Sequence, residues 1–304
     1  MSVREKGFYL AFFTALISGV SIFVNKFAVD LIHPPLLFTA TKNTWVGLMI
    51  FAILLLSRKR VLLKKLSRRE IFYLVLIGII GGSIPFYLFF TGLSIVPAVN
   101  AAIIQKTMVF WVALLALPLL KEKLSPLQFS AVAVLFVSNL LVGGFRGFRF
   151  SAGEMMILAS TLFWAAEIIL AKKVLKTVDP DIVTAARMGF GSLILMAAVA
   201  LTVPGGIGRS LALSFSQWMW MMVTTAALLA YVMSWYRALR LAPATTVTAV
   251  LVASTLVTNV LSAIFVTHAW TEIMGAQTVL MLSGVGLFWQ AAKQGTSKTF
   301  VKAA

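Results

Sequence analysis

Cysteine is absent from this chain of 304 residues, which excludes disulfides, thiolate metal sites and a cysteine nucleophile. Histidine is almost absent: His33 and His268 are too far apart in sequence to form a metal-binding pair, so no catalytic metal is expected. There is no HExxH, no GxSxG and no P-loop, so metal-dependent proteolysis, lipase-type chemistry and ATP hydrolysis lack their parts. Neither enzymatic activity nor a cofactor is expected. Charge is scarce too, at 12% of residues against about 25% in a soluble domain.

What remains is apolar: 61% hydrophobic residues and a mean hydropathy of +0.99. That excess is too large for one buried core, so most of the chain must be solvated by lipid. A net charge of +17 invites comparison with nucleic-acid binders. Here the basic residues sit in short clusters between apolar runs, which suits cytoplasmic loops and not a nucleic-acid face.

Crossing the hydrocarbon core takes about 20 mainly apolar residues. Runs of that kind start near Gly7, Leu36, Ile71, Pro97, Leu127, Gly153, Pro180, Gln217, Pro243 and Glu272, predicting ten helices. The basic N-terminus resembles a signal peptide, but the apolar stretch from Phe8 outruns an h-region of about 7–15 residues. No small-residue cleavage site closes it, so a retained first helix is expected. Most prolines mark helix starts or loops. Pro85 is the exception; following Gly81-Gly82-Ser83, it predicts a kink or break in the third helix.

Orientation follows from Lys and Arg in short loops. The connection after the second helix carries Arg58, Lys59, Arg60, Lys64, Lys65, Arg68 and Arg69, which places it in the cytoplasm. Counting alternately from it puts nineteen basic residues inside, against Arg146, Arg149 and Arg209 outside. Both termini are then cytoplasmic.

Adding 145 or 146 to first-half positions lands on similar residues. Lys26 falls on Lys172, Pro34 on Pro180, Thr39-Ala40-Thr41-Lys42 on Thr184-Ala185-Ala186-Arg187, and Pro97-Ala98 on Pro243-Ala244. Five helices per copy is an odd number, so the second copy is inverted. Inverted repeats suit alternating access about a midplane site.

The segments PAVNAAIIQKTMVFWVALLALPLLKEKLSPLQF (97–129) and ALRLAPATTVTAV (238–250), with Lys42 and Arg187 early in the second helix of each repeat, carry a resemblance. The chain resembles EamA-type members of the drug/metabolite transporter superfamily, which have ten helices in two EamA repeats. Glu122, followed by Leu124-Ser125, looks like that family's acidic turn between the fourth and fifth helices; the second repeat has His268 there instead. The resemblance implies transport of small metabolites, amino acids among them, often outward.

Ionisable groups inside a membrane are costly and are functional candidates by default. Four lie deep: Lys42, Lys106, Glu167 and Arg187. At 1.5 Å per residue the lysines stand about 9 and 13 Å inside the periplasmic half, and Glu167 and Arg187 about 8 and 10 Å inside the cytoplasmic half. No acid lies at the level of the lysines, so a cavity shared by them suits a carboxylate or phosphate; snorkelling is the alternative. Asn100, Thr107 and Trp111 recur on one face of the fourth helix, as a small amphipathic solute requires, or as interhelical bonding requires. Trp164 stands one turn from Glu167. The substrate-binding candidates are therefore Lys42, Asn100, Lys106, Thr107, Trp111 and Trp164. Glu167 and Arg187 are the gating or coupling candidates, expected to form a charged contact because their helices are consecutive, with a static brace as the alternative. Gly78, Gly82, Gly189 and Gly191 are assigned to close helix packing.

The expected fold is an all-α integral membrane protein of ten transmembrane helices in two inverted five-helix repeats, 1–148 and 149–304. The expected function is a secondary transporter of small organic metabolites, amino acids or related carboxylates first, exporting across a bacterial inner membrane. Protons are a candidate coupling ion through Glu167, beside facilitated diffusion or exchange. The expected partners are the small-molecule substrate and the lipid bilayer, not nucleic acid; a homodimer is compatible with the sequence. The alternatives are a receptor or assembly subunit without flux, a lipid-modifying enzyme, and a carrier of sugar phosphates or cationic drugs.

Overall fold

The computed structural model describes residues 3–93, 95–96, 98–141 and 148–301. The expectations placed on Pro97, Arg146, Lys302 and Ala304 lie outside the described residues. The first half comprises α1 (Val3–Leu31), α2 (Pro35–Leu56), the single turn α3 (Arg60–Leu63), α4 (Arg68–Gly82), α5 (Ile84–Leu93), α6 (Ala98–Lys106), α7 (Met108–Leu120) and α8 (Pro126–Leu140). The second comprises α9 (Ala152–Val174), α10 (Pro180–Thr202), the short α11 (Gly206–Leu211), α12 (Phe215–Leu241), α13 (Ala244–Val252), α14 (Ser254–Ser262), a π turn at Ala263–Thr267 and α15 (Glu272–Val301).

The helices start where side chains satisfy their free amides. Ser67 with Glu70, Ser125 with Gln128, Ser151 with Glu154 and Ser214 with Gln217 form reciprocal capping boxes on α4, α8, α9 and α12. Pro35, Pro126 and Pro180 occupy first-turn positions that have no helical acceptor for an N–H. Nine segments among the described residues are long and apolar enough to cross a membrane, and the shorter apolar α8 makes the tenth. Phe51, Leu193, Val279 and Leu282 each stand more than half exposed. Such a surface is stable against lipid tails. The chain is a multi-pass membrane protein.

Packing runs mainly between the two halves. α1 lies against α12, α13 and α14; α9 lies against α4, α5, α6 and α7, which are the same spans shifted by one repeat. α4 meets α10 as α12 meets α2. Three contacts are their own mirror images: α2 with α10, α7 with α13, and α8 with α15. Five spans per half make the second inverted relative to the first, and the halves interlock instead of standing side by side.

Interruptions position the interior groups. At Pro85 the third span breaks into α4 and α5, with Ser83 off helical geometry between them. Proline has no N–H to give the carbonyl four residues back, so the Gly81 carbonyl is released. The eighth span, α12, is continuous; position 231, equivalent to Pro85, is Tyr231. The fourth and ninth spans tighten at Thr107 (φ −62°, ψ −14°) and Ala253 (φ −62°, ψ −13°), which are one repeat apart. Both amides reach back three residues, to Ile104 and Val250, at 3.1 Å.

The crossing of α4 and α10 depends on bare backbone. A Cβ on Gly82 would stand 2.2 Å from the Arg187 carbonyl, and one on Gly191 would stand 2.5 Å from Gly82. Gly78 is similarly closed by Phe190. Gly189 differs from expectation: a Cβ there meets nothing within 4 Å, so only its backbone, opposite Gly47, is part of an interface.

Candidate functional site

The second-repeat site forms around the carbonyl that Pro85 releases. Gly81 O accepts Trp164 Nε1 at 3.1 Å and Arg187 Nε at 3.2 Å. Arg187 lies between the Phe86 and Tyr236 rings, 5.9 and 5.8 Å from their centroids, and is buried. Glu167 is buried beside it and accepts the Tyr236 hydroxyl at 2.6 Å. A Cβ on Gly81 would stand 2.4 Å from Glu167 Cγ, so glycine is what admits the acid. The four ion pairs among the described residues, drawn within 4.0 Å, do not include Glu167 and Arg187. The expected direct contact is thus corrected: α9 and α10, though consecutive, each pack on α4, and Tyr236 stands between their charges.

Lys42 is buried at the equivalent place in the first repeat. Its Nζ donates to Asn25 Oδ1 at 2.8 Å and lies 4.4 Å from the Phe38 ring and 5.6 Å from that of Phe90. Asn25 in turn donates to Ser21 Oγ at 3.1 Å. Shifted by 146, Phe90 becomes Tyr236 and Ser21 becomes Glu167. The aromatic is retained and the acid is replaced by a hydroxyl. No ion pair compensates Lys42 among the described residues.

Lys106 ends α6 at the tightened turn of the fourth span and donates to Ser254 Oγ, just after the matching turn of the ninth, at 3.1 Å. Both are buried. Here too a cation meets a neutral partner between two interrupted helices. Lys42 and Lys106 hold different partners and no described contact joins them. Trp111 Nε1 donates to Thr107 Oγ1 at 3.1 Å, so these two stay together as expected. Asn100 is drawn away, donating to Glu154 Oε1 at 2.8 Å near the start of α9.

All four ion pairs lie at one end. Lys59 binds Asp179 at 2.9 Å and Asp181 at 2.6 Å, Arg237 binds Asp181 at 2.7 Å, and Arg240 reaches Asp179 at 4.0 Å. Partial burial lowers the Lys59 pKa, but hydrogen bonds and attraction from Asp181 and Asp179 outweigh it, and the net shift is upward. At the opposite end, His33, Leu37, Arg209 and Gln217 help to line a cleft of about 410 Å³.

The model of the EamA-like transporter family matches the chain twice, over residues 5–144 and 151–290. The chain belongs to the EamA-like transporter family. An uncharacterized transporter of Methanothermobacter thermautotrophicus is 22% identical over 301 residues, covering 92% of this chain and 86% of that relative. A protein of known crystal structure, 16% identical, superposes with a TM-score of 0.79 over 96% of this chain and 99% of that one. The likeness of fold therefore extends over nearly the whole of both chains.

The EamA repeats also explain residues that sequence reasoning missed. Tyr236, Asn25, Ser21 and Ser254 were not singled out; shifting Phe90 and Glu167 by one repeat points to two of them. Glu122, in the acidic turn of the first repeat, accepts the Ala244 amide at 2.6 Å, the Thr245 amide at 3.1 Å and the Thr245 hydroxyl at 2.8 Å. It caps α13, across the repeat boundary. Lys172 donates to the Leu239 and Ala242 carbonyls at the end of α12. Acid and base thus hold the Pro243 turn from its two sides.

Proposed function

We propose that this transporter moves small organic carboxylates, amino acids among them, outward across a bacterial inner membrane by alternating access of its two inverted repeats. Lys42 carries the reading. It is a buried ammonium whose close partners are an amide oxygen and two aromatic faces. A desolvated cation without an acid is an electrostatic demand that an anionic solute meets. Lys106, bonded to Ser254, repeats the condition where two interrupted helices meet, an arrangement associated with transporter binding sites. Thr107, Trp111 and Trp164 complete the proposed binding set, while Asn100, bonded to Glu154, stands apart from it; Glu167 and Arg187 serve gating or coupling. The proposed units are 1–148 and 149–304.

The charge bias places both termini and the Lys59 cluster in the cytoplasm. With that orientation the ion pairs hold the cytoplasmic end together and the cleft near Arg209 faces outward. Counterflow in proteoliposomes tests the function, with amino acids, sugar phosphates, nucleosides and cationic drugs as the panel. Exchange of carboxylates ahead of nucleosides and cations supports the reading. Binding without flux, or covalent change of a solute, contradicts it.

A further inference from the structure

We infer that Glu167 binds the coupling proton and that proton and carboxylate are carried together, in the same direction. The inference rests on the carboxylate reading above. Nine acids occur in the chain. Eight lie near helix ends or in connections: Glu5, Asp30, Glu70, Glu122, Glu154, Asp179, Asp181 and Glu272. Glu167 alone is set seven residues inside a span, about 10 Å from the end of α9. Among the described residues its carboxylate accepts a hydrogen bond from a neutral phenol, and no cation forms an ion pair with it within 4.0 Å. A buried carboxylate so placed can take a proton without breaking an ion pair.

The groups around it define the coupling. From α10 comes Arg187, and from α12 come Tyr236 and Tyr231; α6 offers Lys106, engaged with Ser254. α4 brings Gly81, α5 brings Phe86 and Phe89 against the adjacent Trp164, and neither α7 nor α13 carries a titratable side chain. With Glu167 ionised, the interior holds three cations and one anion. Its protonation removes the anion and raises the net charge by one unit. Glu167 and Arg187 meet at Gly81, and because Gly47 packs against Met188 their shared level lies about 9 Å from that of Lys42 along the bundle. Unit charges at that separation in a protein interior alter one another's binding by about tenfold. Protonation of Glu167 therefore strengthens carboxylate binding, and by reciprocity the carboxylate strengthens proton binding. One proton with one carboxylate is an electroneutral load. Outward movement then occurs when the solute gradient exceeds the inward proton gradient.

Glutamate is a suitable probe, since its net charge is constant between pH 6 and 8. In proteoliposomes, glutamate counterflow at equal pH on both sides should show about tenfold tighter binding at pH 6 than at pH 8, and an acidic exterior should drive uptake. Glu167→Gln imitates the protonated acid, so at pH 8 it should bind glutamate as tightly as the native chain does at pH 6, with no response to a pH gradient. Uptake driven by an alkaline exterior, or a native-like pH response in Glu167→Gln, overturns the coupling. If Glu167→Gln fails to fold, Tyr236→Phe serves: its pH of half-response should move, and an unmoved one overturns the assignment. Counterflow that is indifferent to pH removes the coupling and leaves the carboxylate reading intact. Absence of glutamate counterflow at any pH removes the carboxylate reading itself.

Discussion

Lys42 and Arg187 occupy the same place in two copies of one design, and their surroundings differ in two ways. Arg187 receives a carbonyl because Pro85 breaks the third span, whereas α12 runs unbroken past Tyr231 and frees none for Lys42. Arg187 also has Glu167 within reach through Tyr236; Lys42 has Asn25 and Ser21. One cation is accommodated by the protein and the other is left in want of an anion. Duplication supplied the pair, and in the reading proposed above divergence made one member a fixture and the other a receptor.

The largest expected effect comes from breaking the accommodated side. Arg187→Ala leaves the Gly81 carbonyl without its guanidinium donor and Glu167 without the cation it faces across Tyr236, and should cost about 3 kcal/mol, read as a large fall in detergent melting temperature. The double variant Glu167→Ala with Arg187→Ala should recover part of that loss, so the two effects should not add. Next in size is Gly82→Ala, whose added carbon meets the Arg187 carbonyl at 2.2 Å. Forcing α4 from α10 should cost about 1–3 kcal/mol.

Lys42→Met should behave in the opposite manner. Stability should change little, because only neutral partners are lost, while carboxylate affinity should fall by about tenfold, or about 1.4 kcal/mol. Ser21→Glu sharpens the contrast by giving Lys42 the acid that the other repeat possesses. It should lower carboxylate affinity at least as far, measured by the same counterflow assay.

The smallest effect belongs to Lys59. It is partly exposed, so Lys59→Ala should cost only about 0–1 kcal/mol after screening, and less at high salt. Because its pKa is raised on folding, the stabilisation is complete below the unfolded value near 10.4 and is lost as pH rises through the folded value. The melting difference between the two proteins should therefore be constant from pH 6 to 9 and shrink only in stronger alkali.

Much of the fold was legible from residues alone. Ten apolar runs, the shift of 145 or 146, and Pro85 as a break all describe local or periodic properties, which sequence displays directly. The neighbours of Glu167 and Arg187 were not legible. Adjacency along the chain suggested that α9 and α10 pack together, but the halves interlock, and each helix found α4 instead. Lys42 and Lys106 were likewise placed in one cavity by depth; depth fixes a level in the membrane, not a direction around the helix. Asn100 shared a helical face with Thr107 and Trp111 only on an ideal helix, and the tightened turn at Thr107 ends that periodicity. Glu122 could be recognised as an acid in a turn, while its partner amides on α13 are more than a hundred residues away.

The central claim is that a buried, acid-free lysine selects anionic solutes, and glutamate against its neutral amide, glutamine, tests it most directly. Competition of each with labelled glutamate should be measured in proteoliposomes containing the native chain, Lys42→Met or Lys106→Met. The account predicts a preference for glutamate in the native chain of at least about tenfold, largely abolished in Lys42→Met and reduced in Lys106→Met. Glutamine competing as well as glutamate in the native chain, or an unchanged preference in both variants, would contradict it.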